Sequence, residues 1–208
     1  MTRLVLATAN RHKVREIQPL LVDTGVELVP VTDLVDGWDV EETGETLAEN
    51  ASLKARAAVR VTGLPAVADD TGLFVDALDG QPGVRSSRYA GPGCSYADNV
   101  RKLLDAMTGV PPGARVARFR SVVVLACPDG SERVFEGALE GTISFEARGT
   151  GGFGYDPVFE LRDGGTLAEL GLDEKNKVSH RAMAFEALAD WILRQRSESI
   201  CPCNRTGG

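Results

Sequence analysis

Residues 149–156 read Gly-Thr-Gly-Gly-Phe-Gly-Tyr-Asp, and Pro157 follows. Four glycines in eight residues let the backbone come close to a bound molecule and adopt positive φ without strain. Phe153 and Tyr155 stand among them, with Asp156 closing the segment. The chemistry this suggests is a flat apolar ring stacked on an aromatic face, in a pocket walled by backbone at Gly154 and its neighbours. A glycine-rich turn whose aromatics fall back into the core fits the same residues.

Three more clusters carry chemistry. Asp69-Asp70-Thr71-Gly72 follows the short apolar run Ala66-Val-Ala68, and carboxylates at a strand's C-terminal end line the crevice of α/β sheets. Adjacent acids repel, so a cation or a base role would justify them, with Glu41, Glu42 and Glu45 of an acidic loop as further oxygen ligands. Such a donor set suits Mg²⁺, which binds through one or two carboxylates plus substrate phosphates; solvated capping acids are the plainer reading. Thr8-Ala9-Asn10-Arg11-His12-Lys13 occupies a strand-to-helix junction, where free N–H groups attract anions, or where Asn10 is simply a cap. Lys175-Asn-Lys177-Val-Ser179-His180-Arg181 puts positive charge at a helix start, against the helix dipole, which an anionic or carbonyl-rich ligand would explain and a solvated basic loop would also produce. Glu49, Asn50 and Lys54 form a polar helical stripe from which Lys54 can reach a phosphate.

Strand-like and helix-like segments alternate around these clusters. Leu4–Thr8, Val26–Val31, Ala66–Asp70, Arg115–Cys127, Glu132–Gly137 and Thr142–Ala147 read as strands, with Pro128-Asp-Gly130 as a hairpin turn. Helices follow Asn10 (Val14, Ile17 and Leu21 inward), Thr46 (a capping box with Glu49), Ser95 and Ser179 (Phe185, Leu188 and Ile192 inward). The pattern predicts an α/β fold: a mixed sheet, parallel first and antiparallel later, flanked by helices. Residues 1–195 form one two-lobed domain, and 196–208 a polar, frayed tail.

With 208 residues, 43% of them hydrophobic and 25% charged, the chain has ample length for a core. A formal charge of −7 argues against broad nucleic-acid binding. No apolar run approaches the ~20 residues that span a bilayer, and no signal-peptide pattern opens the chain. Of four cysteines, Cys127 lies in an apolar run as a buried thiol, Cys94 stands beside turn glycines, and Cys201-Pro-Cys203 in the polar tail is a poor metal site; the expectation is a reduced, cytoplasmic protein.

Taken in order, Thr8-x-Asn10-x-x-Lys13, Glu41-Glu-Thr-Gly44, Glu49-Asn-Ala51 with Lys54, Ala68–Leu73, Gly83–Gly91, Gly151–Pro157 and Ser179-His-Arg181 resemble the inosine/xanthosine triphosphate pyrophosphatases across residues 3–193. Ala9 and Thr71 replace a glycine and a serine common among relatives, and the Cys-Pro-Cys tail has no counterpart. The resemblance implies an elongated mixed sheet in two lobes with the active site in the cleft between them, a homodimer, and Mg²⁺-dependent hydrolysis of a purine nucleoside triphosphate, with Mn²⁺ as a substitute. It implies Asp70 as general base and metal-linked carboxylate, Glu41 as metal ligand and Asp69 as their support. Thr8, Asn10, Lys13, Lys54 and Lys175 would hold the triphosphate, with Ala9, Arg11, His12 and Thr71 beside it. Phe153 would stack on the purine, Gly154, Tyr155 and Asp156 would line the base and sugar pocket, and His180 and Arg181 would donate to a 6-oxo group. Two rivals stand beside this: a septum-formation-type pyrophosphatase acting on pyrimidine or modified nucleotides, and a nucleotide sensor without turnover. The glycine-aromatic and Ser-His-Arg segments argue against the first; Asp69, Asp70 and Glu41 argue against the second.

Overall fold

A computed structural model describes residues 2–195 and 200–201. In chain order the elements are β1 (Thr2–Leu6), α1 (Arg11–Leu21), β2 (Val26–Pro30), α2 (Leu47–Thr62), β3 (Ala66–Val75), β4 (Pro82–Gly83), α3 (Tyr96–Ala106), β5 (Val116–Ala126), β6 (Glu132–Ile143), β7 (Phe159–Glu160), α4 (Leu172–Lys175) and α5 (His180–Arg194). The strands follow the order β2-β1-β3-β5-β6-β7, with β4 paired to β3. This is the α/β fold expected, a mixed sheet with flanking helices. The residues cluster into two compact units: the first takes the chain up to Asp70, 121–137 and the chain from Arg181; the second takes 71–120 and 138–180.

In the first unit β1 runs parallel to β2, from Thr2↔Val26 to Leu6↔Pro30, and to the start of β3 at Val5↔Ala66 and Leu6↔Val67. Parallel neighbours need crossover connections, which α1 and α2 supply. Asn10 caps α1 by accepting from the His12 amide. Thr46 and Glu49 close a capping box on α2, and Gly63 ends it in the left-handed conformation. The apolar faces meet in a core of Leu4, Leu6, Ile17, Leu21, Val67, Leu125, Phe185, Leu188 and Ile192.

The second unit is antiparallel where its pairings are local. β3 meets β4 at Leu73↔Gly83, and β6 meets β7 at Thr142↔Glu160. Ser95 and Asp98 form a capping box on α3. Leu73, Leu103, Met107, Phe119, Ile143, Phe159 and Leu167 form its core.

Five sequence expectations need correction. β3 does not stop at Asp70: it runs ten residues, to Val75. Gly72 permits this, because a Cβ there would stand 2.6 Å from the Gly83 carbonyl oxygen, so only glycine lets β4 approach. The strands expected at 132–137 and 142–147 are one strand, β6, ending at Ile143; Thr8, likewise, lies beyond the end of β1. Cys127 is not a thiol: it is disulfide-bonded to Cys201. Within the tail expected to fray, Ile200 and Cys201 are buried; positions 196–199 and 202–208 lie outside the described residues. Among the described residues no helix is long and apolar enough to cross a membrane.

Candidate functional site

In the first unit Lys13 and Glu16 of α1, Lys54 of α2, Asp69 and Asp70 of β3 and Arg181 of α5 gather their charges together, most of them buried. Successive strand residues point to opposite faces, so Asp69 and Asp70 take different partners and the repulsion between them is relieved. Asp69 Oδ2 lies 3.0 Å from Lys13 Nζ and accepts from Arg181 Nε at 3.1 Å. Arg181 Nη1 also donates to Glu16 Oε2 at 2.5 Å. Lys13 and Glu16 stand three apart on α1 and so share a face. Asp70 Oδ1 accepts from Lys54 Nζ at 3.1 Å, and its Oδ2 from Asn50 Nδ2 at 3.3 Å; Lys54 also donates to Glu42 Oε1 at 2.6 Å. Asn50 and Lys54, four apart on α2, form the inward part of the stripe seen in the sequence, while Glu49 turns back into the capping box.

Burial and charge oppose each other here. Burial alone would raise Asp69, yet Lys13, then Arg181 and Lys54, hold its carboxyl well below the usual range. Burial raises Asp70 against the pull of Lys54 and Lys13. Burial likewise pushes the Lys13 ammonium down despite Asp69. It would lower Lys54 too, but Asp70 and Glu42 outweigh it and raise that group. The same strand thus carries one acid fixed as a carboxylate and one that holds a proton more readily.

The junction before α1 keeps its polar atoms close to backbone. Thr8 Oγ1 accepts from the Asn10 amide at 3.1 Å, and Asn10 Oδ1 from the His12 amide at 2.9 Å. Ala9, Arg11 and His12 are exposed, whereas Lys13 turns inward to Asp69. Thr71, partly buried, follows Asp70 on β3. In the acidic loop Glu42, not Glu41, reaches the buried cluster; Glu41 is exposed. Glu16 was missed by sequence reasoning. Its only local signal is its place beside Ile17 and three residues from Lys13, on the inward side of α1.

The second unit holds the glycine-aromatic loop. Gly152 has φ +65°, and a Cβ there would run into the Asp156 carboxylate, which accepts from the Phe153 amide at 2.7 Å. That glycine serves the loop itself. Gly154, at φ +67°, has nothing within 4 Å of where a Cβ would stand. Asp156 Oδ2 also takes Lys175 Nζ at 2.6 Å, both side chains buried, and the ammonium lies 5.2 Å from the centre of the Phe153 ring. Phe153 is half-buried and tilts against Tyr96, ring centres 5.7 Å apart. Tyr155 is a core residue: its hydroxyl donates to the Ser86 carbonyl at 2.9 Å, and burial pushes the phenol above its ordinary range. His180 is buried and stacks on Phe119 at 4.5 Å. Lys175, expected with the phosphate ligands, therefore sits with the aromatic platform.

Glu16, Glu42, Asp69 and Asp70 face Lys13, Lys54 and Arg181, four negative groups against three positive. Among the described residues no three His, Cys, Asp or Glu side chains form a ready-made cage. The carboxylate oxygens of Glu42 and Asp70, which share Lys54, are donors of the kind a hard cation takes.

Comparison with known proteins agrees with the resemblance read from the motifs. The model of the Ham1 family matches residues 4–191. A dITP/XTP pyrophosphatase from Symbiobacterium thermophilum is 53% identical over 183 residues, covering 88% of this chain and 91% of its own length. A dITP/XTP pyrophosphatase from Shigella flexneri is 50% identical over 194 residues, covering 91% and 98%. The solved structure of a HAM1 protein from Coxiella burnetii superposes with a TM-score of 0.85 at 42% identity, over 93% of this chain and all of that one. With the family match spanning nearly every element from β1 to α5, the chain belongs to the Ham1 family.

Proposed function

We propose that this protein hydrolyses non-standard purine nucleoside triphosphates (dITP, XTP and ITP) to the monophosphate and pyrophosphate, removing deaminated purines from the nucleotide pool of the cytoplasm. The names of its close relatives support this reading, and the observation that carries it is the buried pairing of Lys13 with Asp69 and of Lys54 with Asp70. A lysine held on a carboxylate is positioned without substrate and can transfer its charge to a phosphate oxygen; charge neutralisation dominates phosphoryl chemistry. In this proposal Asp70 accepts a proton from the water that attacks the α-phosphorus. Asp69 keeps Lys13 in place, and the amides between Thr8 and Lys13 hold phosphate oxygens at the start of α1. Asp70 with Glu41 or Glu42 of the acidic loop would hold Mg²⁺, or Mn²⁺ as a substitute, which would neutralise the triphosphate and acidify a water.

The base falls to the second unit. Phe153 offers the stacking face, Gly154 open backbone beside it, and Asp156 and Lys175 fix that loop. Stacking tolerates any purine, so choice comes from donors, Lys175 and His180, aimed at a 6-oxo group. Adenine would place an amino group against them, and each mispaired buried contact costs roughly 1–3 kcal/mol. The working form is a homodimer, which sedimentation of the purified protein checks. The test of the function is release of pyrophosphate from dITP, XTP, ITP and ATP with Mg²⁺. A kcat/KM for ITP at least about 10²-fold above that for ATP is expected. Equal rates, release of orthophosphate instead, or tight binding without turnover would each sink it.

A further inference from the structure

Asn50 is completely buried and uses both ends of its side-chain amide. Its Oδ1 accepts from the Gly44 amide at 2.8 Å, and its Nδ2 donates to Asp70 Oδ2 at 3.3 Å. A backbone N–H can only donate and a carboxylate can only accept. The position therefore needs an acceptor and a donor on one short arm, which asparagine supplies and aspartate or leucine does not. The acidic loop is shaped to reach it. A Cβ at residue 44 would stand 2.7 Å from both Asn50 Oδ1 and Glu49 Cβ, so the chain passes there as glycine. The next two amides, of Glu45 and Thr46, donate to Glu49 Oε2 at 2.7 and 3.1 Å and close the segment onto the first turn of α2. Asn50 thus ties the acidic loop, two residues after Glu42, to Asp70.

Lys54, one turn further along α2, joins the same two segments by charge: Glu42 on the loop and Asp70 on β3. The two ties respond differently to substrate. In the proposed reaction Lys54 passes its charge to a phosphate oxygen, and its hold on Glu42 and Asp70 weakens. The Asn50 amide carries no charge and is sealed from solvent, so its two bonds stay in place while charge moves around them. We propose that Asn50 is a positioning residue that keeps the acidic loop and Asp70 at a fixed spacing while Lys54 changes partners, a role that rests on the hydrolase reading above. Asn50 acts through Asp70 and the loop carboxylates, whose relative placement decides whether they can work on one triphosphate together.

The test compares Asn50→Asp and Asn50→Ala in the full chain. Aspartate keeps the shape and the acceptor for Gly44 but sets a second carboxylate against Asp70, whereas alanine removes both bonds. In metal-free protein, hydrogen exchange of residues 43–46, read by mass spectrometry, should stay slow in Asn50→Asp and speed up at least about tenfold in Asn50→Ala. In both variants kcat for pyrophosphate release from ITP should fall roughly 10- to 100-fold, the range for residues that orient the ligands of a metal site. KM should move by less than about threefold. If Asn50→Ala does not fold, the isosteric Asn50→Asp decides: slow exchange with a low kcat supports the role. A kcat within about threefold of wild type in Asn50→Asp, or a loss carried by KM instead, would overturn it. So would unchanged exchange of 43–46 in a folded Asn50→Ala. A wild-type protein that releases no pyrophosphate from ITP would strike the hydrolase reading instead, and the exchange comparison would still decide the tie.

Discussion

The two units bury charge in opposite ways. In the first, Lys13, Lys54 and Arg181 are held by Glu16, Glu42, Asp69 and Asp70, side chain against side chain. In the second, the buried Arg115 is satisfied by backbone carbonyls: Ile143 at 2.6 Å, Ser144 at 2.8 Å and Met107 at 3.0 Å. A buried ion pair of its own, Lys175 with Asp156, fixes the glycine-aromatic loop. A cation fixed by carbonyls is part of the scaffold, because those carbonyls have few other donors to accept from. A cation fixed by a carboxylate can exchange that partner for another anion at little cost in desolvation. The first unit is therefore suited to handling charge, and the second to holding shape.

The sharpest way to break this contrast is to remove charge from the first unit. Chelation by EDTA should bring pyrophosphate release to background, and added Mg²⁺ should restore it; undiminished turnover in metal-free buffer would refute the hard-oxygen reading. Asp70→Asn keeps the shape of the side chain and removes a base, which typically costs 10²–10⁴-fold in kcat. Nucleotide affinity, read by calorimetry, should change far less. An Asp70→Asn enzyme within tenfold of wild type would take Asp70 out of the proposed mechanism.

Arg181 tests the boundary between what the resemblance implies and what the structure shows. By resemblance it donates to the 6-oxo group; in the structure its Nε and Nη1 are engaged by Asp69 and Glu16. Arg181→Ala would leave two buried carboxylates without their shared cation, a loss of about 3–5 kcal/mol in unfolding free energy. Turnover on ITP and ATP should fall together. A collapse of the ITP/ATP ratio with stability intact would instead return Arg181 to base reading.

Local signals were legible in the sequence wherever one element contained the whole interaction. Asn10, the Thr46–Glu49 box and the Ser95 cap are satisfied within four residues, and each stands where the sequence put it. The apolar faces of α1 and α5 were readable for the same reason. What failed depended on distant partners. Asp and Gly weaken a strand by propensity, yet β3 continues through Asp69–Gly72 because β4 pairs with it beyond Gly72. The contacts of Asp69 reach 56 residues back to Lys13 and 112 forward to Arg181, and Glu16 meets Arg181 across 165. No spacing rule connects such positions. The Cys127–Cys201 bond is invisible for the same reason, and an apolar setting for Cys127 pointed to a thiol.

Removing shape from the second unit should have a smaller and more uniform effect. Phe153→Ala should raise KM for all purine triphosphates alike, by roughly 5- to 100-fold, since stacking is worth about 1–3 kcal/mol per base. The ITP/ATP ratio of kcat/KM should stay within a few-fold of wild type. A ratio that falls most in this variant would show that the ring itself selects.

The smallest effect expected separates the two neighbouring aspartates, read as stability in metal-free buffer. Lys13 and Arg181 outweigh burial and hold the Asp69 carboxyl below its unfolded value of about 4. Its contribution is therefore present above that pH and is lost as the pH falls toward the folded value. Asp70 is raised by burial, so the folded state holds its proton more tightly. Its contribution is complete below about pH 4 and declines as the pH rises through the folded value. One strand thus carries two opposite slopes, each at most about 1.4 kcal/mol per pH unit. Urea unfolding between pH 2.5 and 7 in EDTA should show a rising limb at the acid end that Asp69→Asn flattens. Above pH 4 a falling component should disappear in Asp70→Asn. If both variants keep the wild-type slopes, the ion pairs on β3 do not govern its titration, and the division between one fixed carboxylate and one proton acceptor is wrong.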